Sequence, residues 1–171
     1  DSFSHNIIHA LQTLGCNVET FDGRGEIVDF NHDAIVIGPG PGRPGISPLS
    51  MHAASLDMPV LGICLGHQAI GLARGMELIE SPLGPVHGVP STIVADGNGL
   101  LSKGKHVMTR YNSLVLSGDG NISVTANDET GTLPMEIRDG NTYGLQFHPE
   151  SIGSSGGMEV LSEFLRRIAH C

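Results

Sequence analysis

The chain has 171 residues, 39 % of them apolar, with 18 acidic and 9 basic side chains and a net charge of −9. That length suggests one domain with enough chain to bury a core, while the acidic balance, with Arg166–Arg167 as the one adjacent basic pair, speaks against nucleic acid as a partner. No apolar run approaches the roughly 20 residues that span a bilayer, the polar N-terminus has no signal-peptide pattern, and three cysteines at unrelated spacings give no disulfide framework; the expectation is a cytoplasmic protein with no membrane contact.

Ile7, Ile8, Leu11 and Leu14 recur at helical spacing over residues 4–14, and Gly15 marks the stop. A short strand is expected at Val18–Phe21 and a buried one at Asp33–Ile37. A glycine- and proline-rich loop follows from Gly38 to Pro48, then a helix over 48–56, a buried strand Met58–Ile63 and a helix Leu65–Arg74. This alternation indicates an α/β fold with a largely parallel core sheet. After Gly75 the texture changes to short strands at Met76–Glu80, Ser91–Ala95, His106–Met108, Leu114–Leu116, Ile122–Thr125, Met135–Arg138 and Thr142–Phe147, separated by Gly, Asn and Asp. An amphipathic helix, Met158–Ile168, closes the chain, with Val160, Leu161, Phe164, Leu165 and Ile168 on its apolar face. Neither a repeat nor a linker divides it, so residues 1–171 read as one domain.

The segment richest in chemistry is Gly62-Ile63-Cys64-Leu65-Gly66-His67-Gln68. A buried strand runs into a helix with a cysteine at the corner and a glycine two residues to either side, the pattern of a nucleophile elbow. The helix N-terminus favours the thiolate there, and the Leu65 N–H points where an oxyanion would develop. Two plainer readings compete. One is a buried structural cysteine, which is the reading preferred for Cys16 and Cys171. The other is a metal site from the C-x-x-H spacing of Cys64 and His67, but no second ligand pair follows, so no metal is expected.

A cysteine nucleophile needs a base, and the base needs an orienting group. Gln146-Phe147-His148-Pro149-Glu150 offers both, because residues two apart in an extended segment face the same side. His5, His9, His32, His52, His106 and His170 lie in polar or helical settings and read as solvated. His87, in a turn, lines a site or a partner surface, or has no role; His67 packs against the elbow. The Gly38-Pro39-Gly40-Pro41-Gly42 loop follows a strand and brings backbone close to a ligand, as half of an oxyanion hole or a grip on a small polar substrate. Alternatively it is only a rigid turn. A phosphate loop is disfavoured, since no lysine follows and the prolines remove donors.

Together Gly38–Gly42, Gly62–Gln68, Tyr111–Leu114 and Gln146–Ser151 resemble the class I, triad-type glutamine amidotransferases. The Gly-Pro-Gly-Pro-Gly form looks most like the small subunit of anthranilate synthase and its relative in aminodeoxychorismate synthase. The resemblance implies a mixed, largely parallel central sheet flanked by helices, with a flavodoxin-like core and a smaller antiparallel part. It implies hydrolysis of L-glutamine by Cys64, His148 and Glu150 through a γ-glutamyl thioester, without a cofactor in this chain. Glutamine and its oxyanion would be held by Gly40, Pro41, Gly42, Leu65, Gln68, Ser113 and Leu114, and the ammonia would pass to a chorismate-using synthase, either a separate chain or a fused domain. Two departures stand out. The family's first strand, central in its sheet, has no counterpart ahead of Asp1, so the sequence is expected to start after it. His87-Gly88-Val89 replaces the family's frequent His-Gly-Lys, which bears on partner contacts and fits a domain fused to its synthase. Guanylate, cytidylate or carbamoyl phosphate synthesis, a non-catalytic module and a thiol redox protein are the competing functions.

Overall fold

The computed structural model describes residues 2–169. The expectations for His170 and Cys171 fall outside these residues. In chain order the elements are α1 (Ser2–Thr13), β1 (Ile35–Ile37), a 3₁₀ turn (Pro44–Ile46), α2 (Pro48–Ala54), β2 (Val60–Ile63), α3 (Leu65–Ala73), β3 (Glu77–Glu80), β4 (Val89–Ala95), β5 (Gly104–Arg110), β6 (Leu114–Ser117), β7 (Ser123–Asp128), β8 (Pro134–Asp139), β9 (Thr142–Leu145) and α4 (Gly157–Ile168).

Helix α1 forms because Ile7, Ala10 and Leu11 fall on one face and are buried there. It ends where Gly15 takes φ +90° and the Cys16 N–H returns to the Leu11 carbonyl at 3.0 Å. Seven strands make one mixed sheet in the order β1-β2-β9-β8-β7-β4-β5. Pairing is parallel from β1 through β2 to β9 and antiparallel from β9 to β5. A second, antiparallel pair joins β3 to β6, so Met76–Glu80 finds its partner some 35 residues on rather than in a local hairpin.

Side-chain alternation along β2 and β9 divides the core. Leu61, Ile63, Tyr143 and Leu145 face α1 and α4, where they meet Ile7, Leu11, Leu161 and Phe164. Val60 faces the other way, with Ala53, Ala54, Ala69 and Ile70 of α2 and α3. Thus α1 and α4 cover one face of the parallel strands and α2 and α3 the other, an α/β layer arrangement.

Val18–Phe21 is not a strand. Its four residues have the right composition, but among the described residues no strand edge pairs with them, and Phe21 is 44 % exposed. They are held instead by edge-on ring contacts of Phe21 with Phe30 and His32. The segment lines a groove of about 1260 Å³ together with Ile7, Leu11, Val36 and Phe164, along the edge of β1 that β2 does not occupy.

Candidate active site

The parallel strands aim their C-terminal ends at one place. Ile63 at the end of β2 pairs with Leu145 at the end of β9, and the Cys64 N–H donates to the Leu145 carbonyl at 2.8 Å. The chain then turns sharply: Cys64 has φ 54° and ψ −97°, and among the described residues it is the one non-glycine with positive φ. Such a conformation costs on the order of 1–3 kcal/mol and persists only where its surroundings enforce it. The surroundings are visible. A Cβ on Gly66 would lie 2.1 Å from the Ile37 carbonyl oxygen, and one on Gly62 would lie 2.4 Å from the Gly66 backbone. The flanking glycines therefore let α3 start directly on top of β1 and β2, which pushes the thiol out at the helix N-terminus.

His148 arrives on the neighbouring strand's extension. Its N–H donates to the Thr109 carbonyl at 2.9 Å, and its own carbonyl accepts the Ser154 hydroxyl at 2.6 Å, so the backbone is pinned to β5. The residue is 1 % exposed. Nδ1 meets Glu150 Oε1 at 2.7 Å, and that carboxylate side chain is wholly buried. The Phe3 and Tyr111 rings flank the imidazole, with centroids 4.8 and 5.0 Å away. Burial opposes the imidazolium, but the Cys64 thiol beside it and the Glu150 carboxylate outweigh that, and the ring's pKa is pushed up to about 9. An imidazolium facing a thiol at a helix N-terminus is an arrangement that supports a thiolate–imidazolium pair.

The other expected residues gather around this pair unevenly. Gly40 lies against Leu65: a Cβ on it would be 3.5 Å from the leucine side chain, so the glycine–proline loop abuts the elbow. Pro41 and Gly42 are exposed beyond it, with Gly42 at φ +83°. Gln68, one turn into α3, is 4 % exposed and donates to the Leu114 carbonyl and to Gln146 Oε1, both at 3.3 Å. Ser113 is exposed next to Leu114, and its carbonyl accepts the Ser81 N–H.

His67 does pack under the elbow, fully buried over Gly144, and burial draws its pKa down to about 4, so it stays neutral. His87 is exposed, but a Cβ on Gly88 beside it would lie 3.1 Å from the Tyr111 ring that flanks His148. Of the histidines expected in solvent, His5, His9 and His32 are exposed. His52 and His106 are half-buried, the first stacked on Phe30 and the second bonded to the Ser102 carbonyl. Cys16 is half-buried, and burial pushes its thiol up.

Sequence patterns alone give no role to Phe3, Gln146, Asn112 or Ser154. Gln146 and Asn112 carry a signal in their places, two residues before His148 and inside the Tyr111–Leu114 segment. The others meet the site through long-range contacts that spacing does not reveal.

A family model, glutamine amidotransferase class I, matches residues 1–168. The chain belongs to the class I glutamine amidotransferases. Among relatives of this amidotransferase, anthranilate synthase component 2 of Cyanophora paradoxa is 36 % identical, over 96 % of this chain and 94 % of its own length. The bifunctional protein TrpGD of Thermotoga maritima is 37 % identical over 96 % of this chain, which spans 30 % of that longer protein. The fold is matched by the crystal structure of a Thermoplasma acidophilum protein assigned to GMP synthase, with a TM-score of 0.84 and 16 % identity, covering 98 % of this chain and 88 % of that one.

Proposed function

We propose that this amidotransferase hydrolyses L-glutamine to glutamate and ammonia with Cys64 as nucleophile, His148 as proton carrier and Glu150 as the group that orients and charges the imidazole. The observation that carries the reading is the junction of a strained cysteine elbow with a buried His148–Glu150 pair at the ends of two hydrogen-bonded parallel strands.

In this mechanism the Cys64 thiolate attacks the side-chain amide carbon of glutamine. The oxyanion that forms is held by the N–H groups of Leu65 and Gly40, two residues that abut at the elbow. His148 gives its proton to the departing ammonia, leaving a γ-glutamyl thioester on Sγ. The neutral imidazole then takes a proton from water as the water attacks the thioester. The imidazolium keeps that proton as the tetrahedral intermediate collapses and expels Sγ as thiolate; the new γ-carboxyl loses its proton to water, and glutamate leaves with the thiolate–imidazolium pair restored. Glu150 keeps Nδ1 protonated throughout, so that Nε2 does the exchanging. Gly40, Pro41, Gly42, Leu65, Gln68, Ser113 and Leu114 form the glutamine-binding rim. No cofactor is needed, since every proton and bond change is carried by these side chains and water.

The ammonia passes to a chorismate-using synthase; the name of a relative, anthranilate synthase component 2, which makes it one part of a synthase, supports a synthase partner. The name TrpGD shows that such a region also occurs within a longer bifunctional chain. The free thiols of Cys16 and Cys64 fit a reducing, cytoplasmic setting. The test is ammonia release from glutamine by wild type and Cys64→Ala, alone and with chorismate-using synthases. Turnover that vanishes in the variant and rises with one synthase supports the reading. Glutamine hydrolysis that survives Cys64→Ala refutes the chemistry, and turnover indifferent to every such synthase refutes the partner.

A further inference from the structure

Gln146 lies wholly buried between the nucleophile and α3, and the mechanism above gives it no task. Its Nε2 is 3.8 Å from Cys64 Sγ, within reach of an N–H to sulfur hydrogen bond. A carboxamide can be turned either way, so the question is what decides that nitrogen, and not oxygen, faces the sulfur.

The neighbouring groups decide it. The Leu114 carbonyl can only accept, and it takes donors from Asn112 Nδ2 at 3.0 Å and Gln68 Nε2 at 3.3 Å. The nitrogen of Gln68 is thereby fixed, and the atom of Gln146 that it meets at 3.3 Å must be the oxygen. The nitrogen of Gln146 is then left for Cys64. Asn112 is fixed independently from its other end, because its Oδ1 accepts Arg110 Nε at 3.2 Å and a guanidinium can only donate. Arg110, Asn112 and Gln68 are each at most 5 % exposed, so water does not compete for these bonds. Polarity therefore runs one way, from an obligate donor and an obligate acceptor out to the sulfur.

We propose that Gln146 is a positioning residue for the nucleophile. Its N–H is held against Cys64 Sγ by this polarised amide chain, where it stabilises the thiolate and orients it for attack. A donor aimed at sulfur favours the charged form, which is the nucleophilic one. The inference rests on Cys64 being the nucleophile, but its deciding measurement, thiol alkylation, needs no glutamine.

The experiment measures the pH dependence of Cys64 alkylation by iodoacetamide, read by mass spectrometry on the Cys64 peptide, in the wild-type chain, Gln146→Leu and Gln146→Glu. Loss of the donor moves the midpoint to higher pH and slows alkylation about three- to tenfold at a fixed pH below it. Gln146→Glu keeps the oxygen that Gln68 needs but places a carboxylate beside the sulfur, and shifts the midpoint further. Thermal melting establishes that each variant is folded, and if Gln146→Leu does not fold, the isosteric Gln146→Glu decides. In glutamine hydrolysis kcat falls while KM stays within about twofold, the signature of a group that acts on the chemical step.

Superimposed alkylation profiles in folded variants overturn the proposal. So does failure of both variants to fold, which makes Gln146 structural. A wild-type Cys64 that shows the expected profile without hydrolysing glutamine would sink the proposed function and leave this inference standing.

Discussion

Gly66→Ala is the most demanding substitution that the elbow allows one to design. The added Cβ would sit 2.1 Å from the Ile37 carbonyl oxygen and 2.9 Å from its carbonyl carbon and Cβ. Ordinary contact begins near 3.4 Å, so backbone must move by about 1.3 Å to admit one methyl group. No flexible side chain can yield, because the obstacle is the end of β1, hydrogen-bonded to β2. Overpacking of this kind costs about 1–3 kcal/mol, and rigid backbone on both sides places Gly66→Ala near 3 kcal/mol. Against a total stability of roughly 5–15 kcal/mol the loss is large, and for a chain of this size it lowers Tm by about 6–12 °C. The assay is urea and thermal unfolding, with Gly45→Ala as control, since a Cβ at Gly45 meets nothing within 4 Å. The control should stay within about 0.5 kcal/mol of wild type. Cys64 alkylation should slow in Gly66→Ala alone, because α3 shifts with its N-terminus. Equal stabilities for the two variants would refute the claim that the glycine is there for close approach.

Three further substitutions test the geometry. Cys64→Gly abolishes hydrolysis yet raises stability by about 1 kcal/mol in urea unfolding, since glycine accepts φ 54° without strain; a destabilised variant would mean that the elbow is not strained. Glu150→Gln removes a partner that raises the His148 pKa to about 9, so the alkaline limb of hydrolysis, near pH 9 in wild type, moves to lower pH and kcat falls about 10²-fold. Because that pKa is raised above the ordinary 6.5, its stabilisation is complete below pH 6.5 and is lost as pH rises through 9; unfolding measured across this window should flatten in Glu150→Gln. Burial raises the Asp128 carboxyl, but the Thr130 hydroxyl and the N–H groups of Leu133, Thr132 and Thr130 all donate to it and hold it below the usual range. Its contribution is present above that range and fades as pH falls through the lowered pKa, and Asp128→Ala should lose about 1–3 kcal/mol at pH 7 but little in acid.

Much of the architecture was legible because the periodicities are clean. Ile7 and Leu11 announce α1, Met58–Ile63 announces the buried strand that forms over Val60–Ile63, and Val160, Leu161 and Phe164 announce α4. The elbow was legible too, because glycines spaced around a cysteine have a steric reason that short-range sequence carries. Val18–Phe21 misled because a strand requires a partner edge, which is not a local property. The pairing of β3 with β6 and the joining of β2 to β9 across some 80 residues are likewise set by the folded sheet. The same limit hid the amide chain. Arg110, Asn112, Gln68 and Gln146 are ordinary residues apart, and acquire their meaning when β5, α3 and the end of β9 bring them within hydrogen-bond distance.

The central claim is that Cys64, activated beside His148, attacks the side-chain carbonyl of glutamine. Its most direct test is reaction of the chain with a diazoketone analogue of L-glutamine, followed by mass spectrometry of every cysteine-containing peptide. The account predicts a single adduct on Cys64 that excess L-glutamine prevents and that His148→Ala slows strongly. An adduct formed equally on Cys16, or labelling of Cys64 that glutamine does not protect, would contradict it.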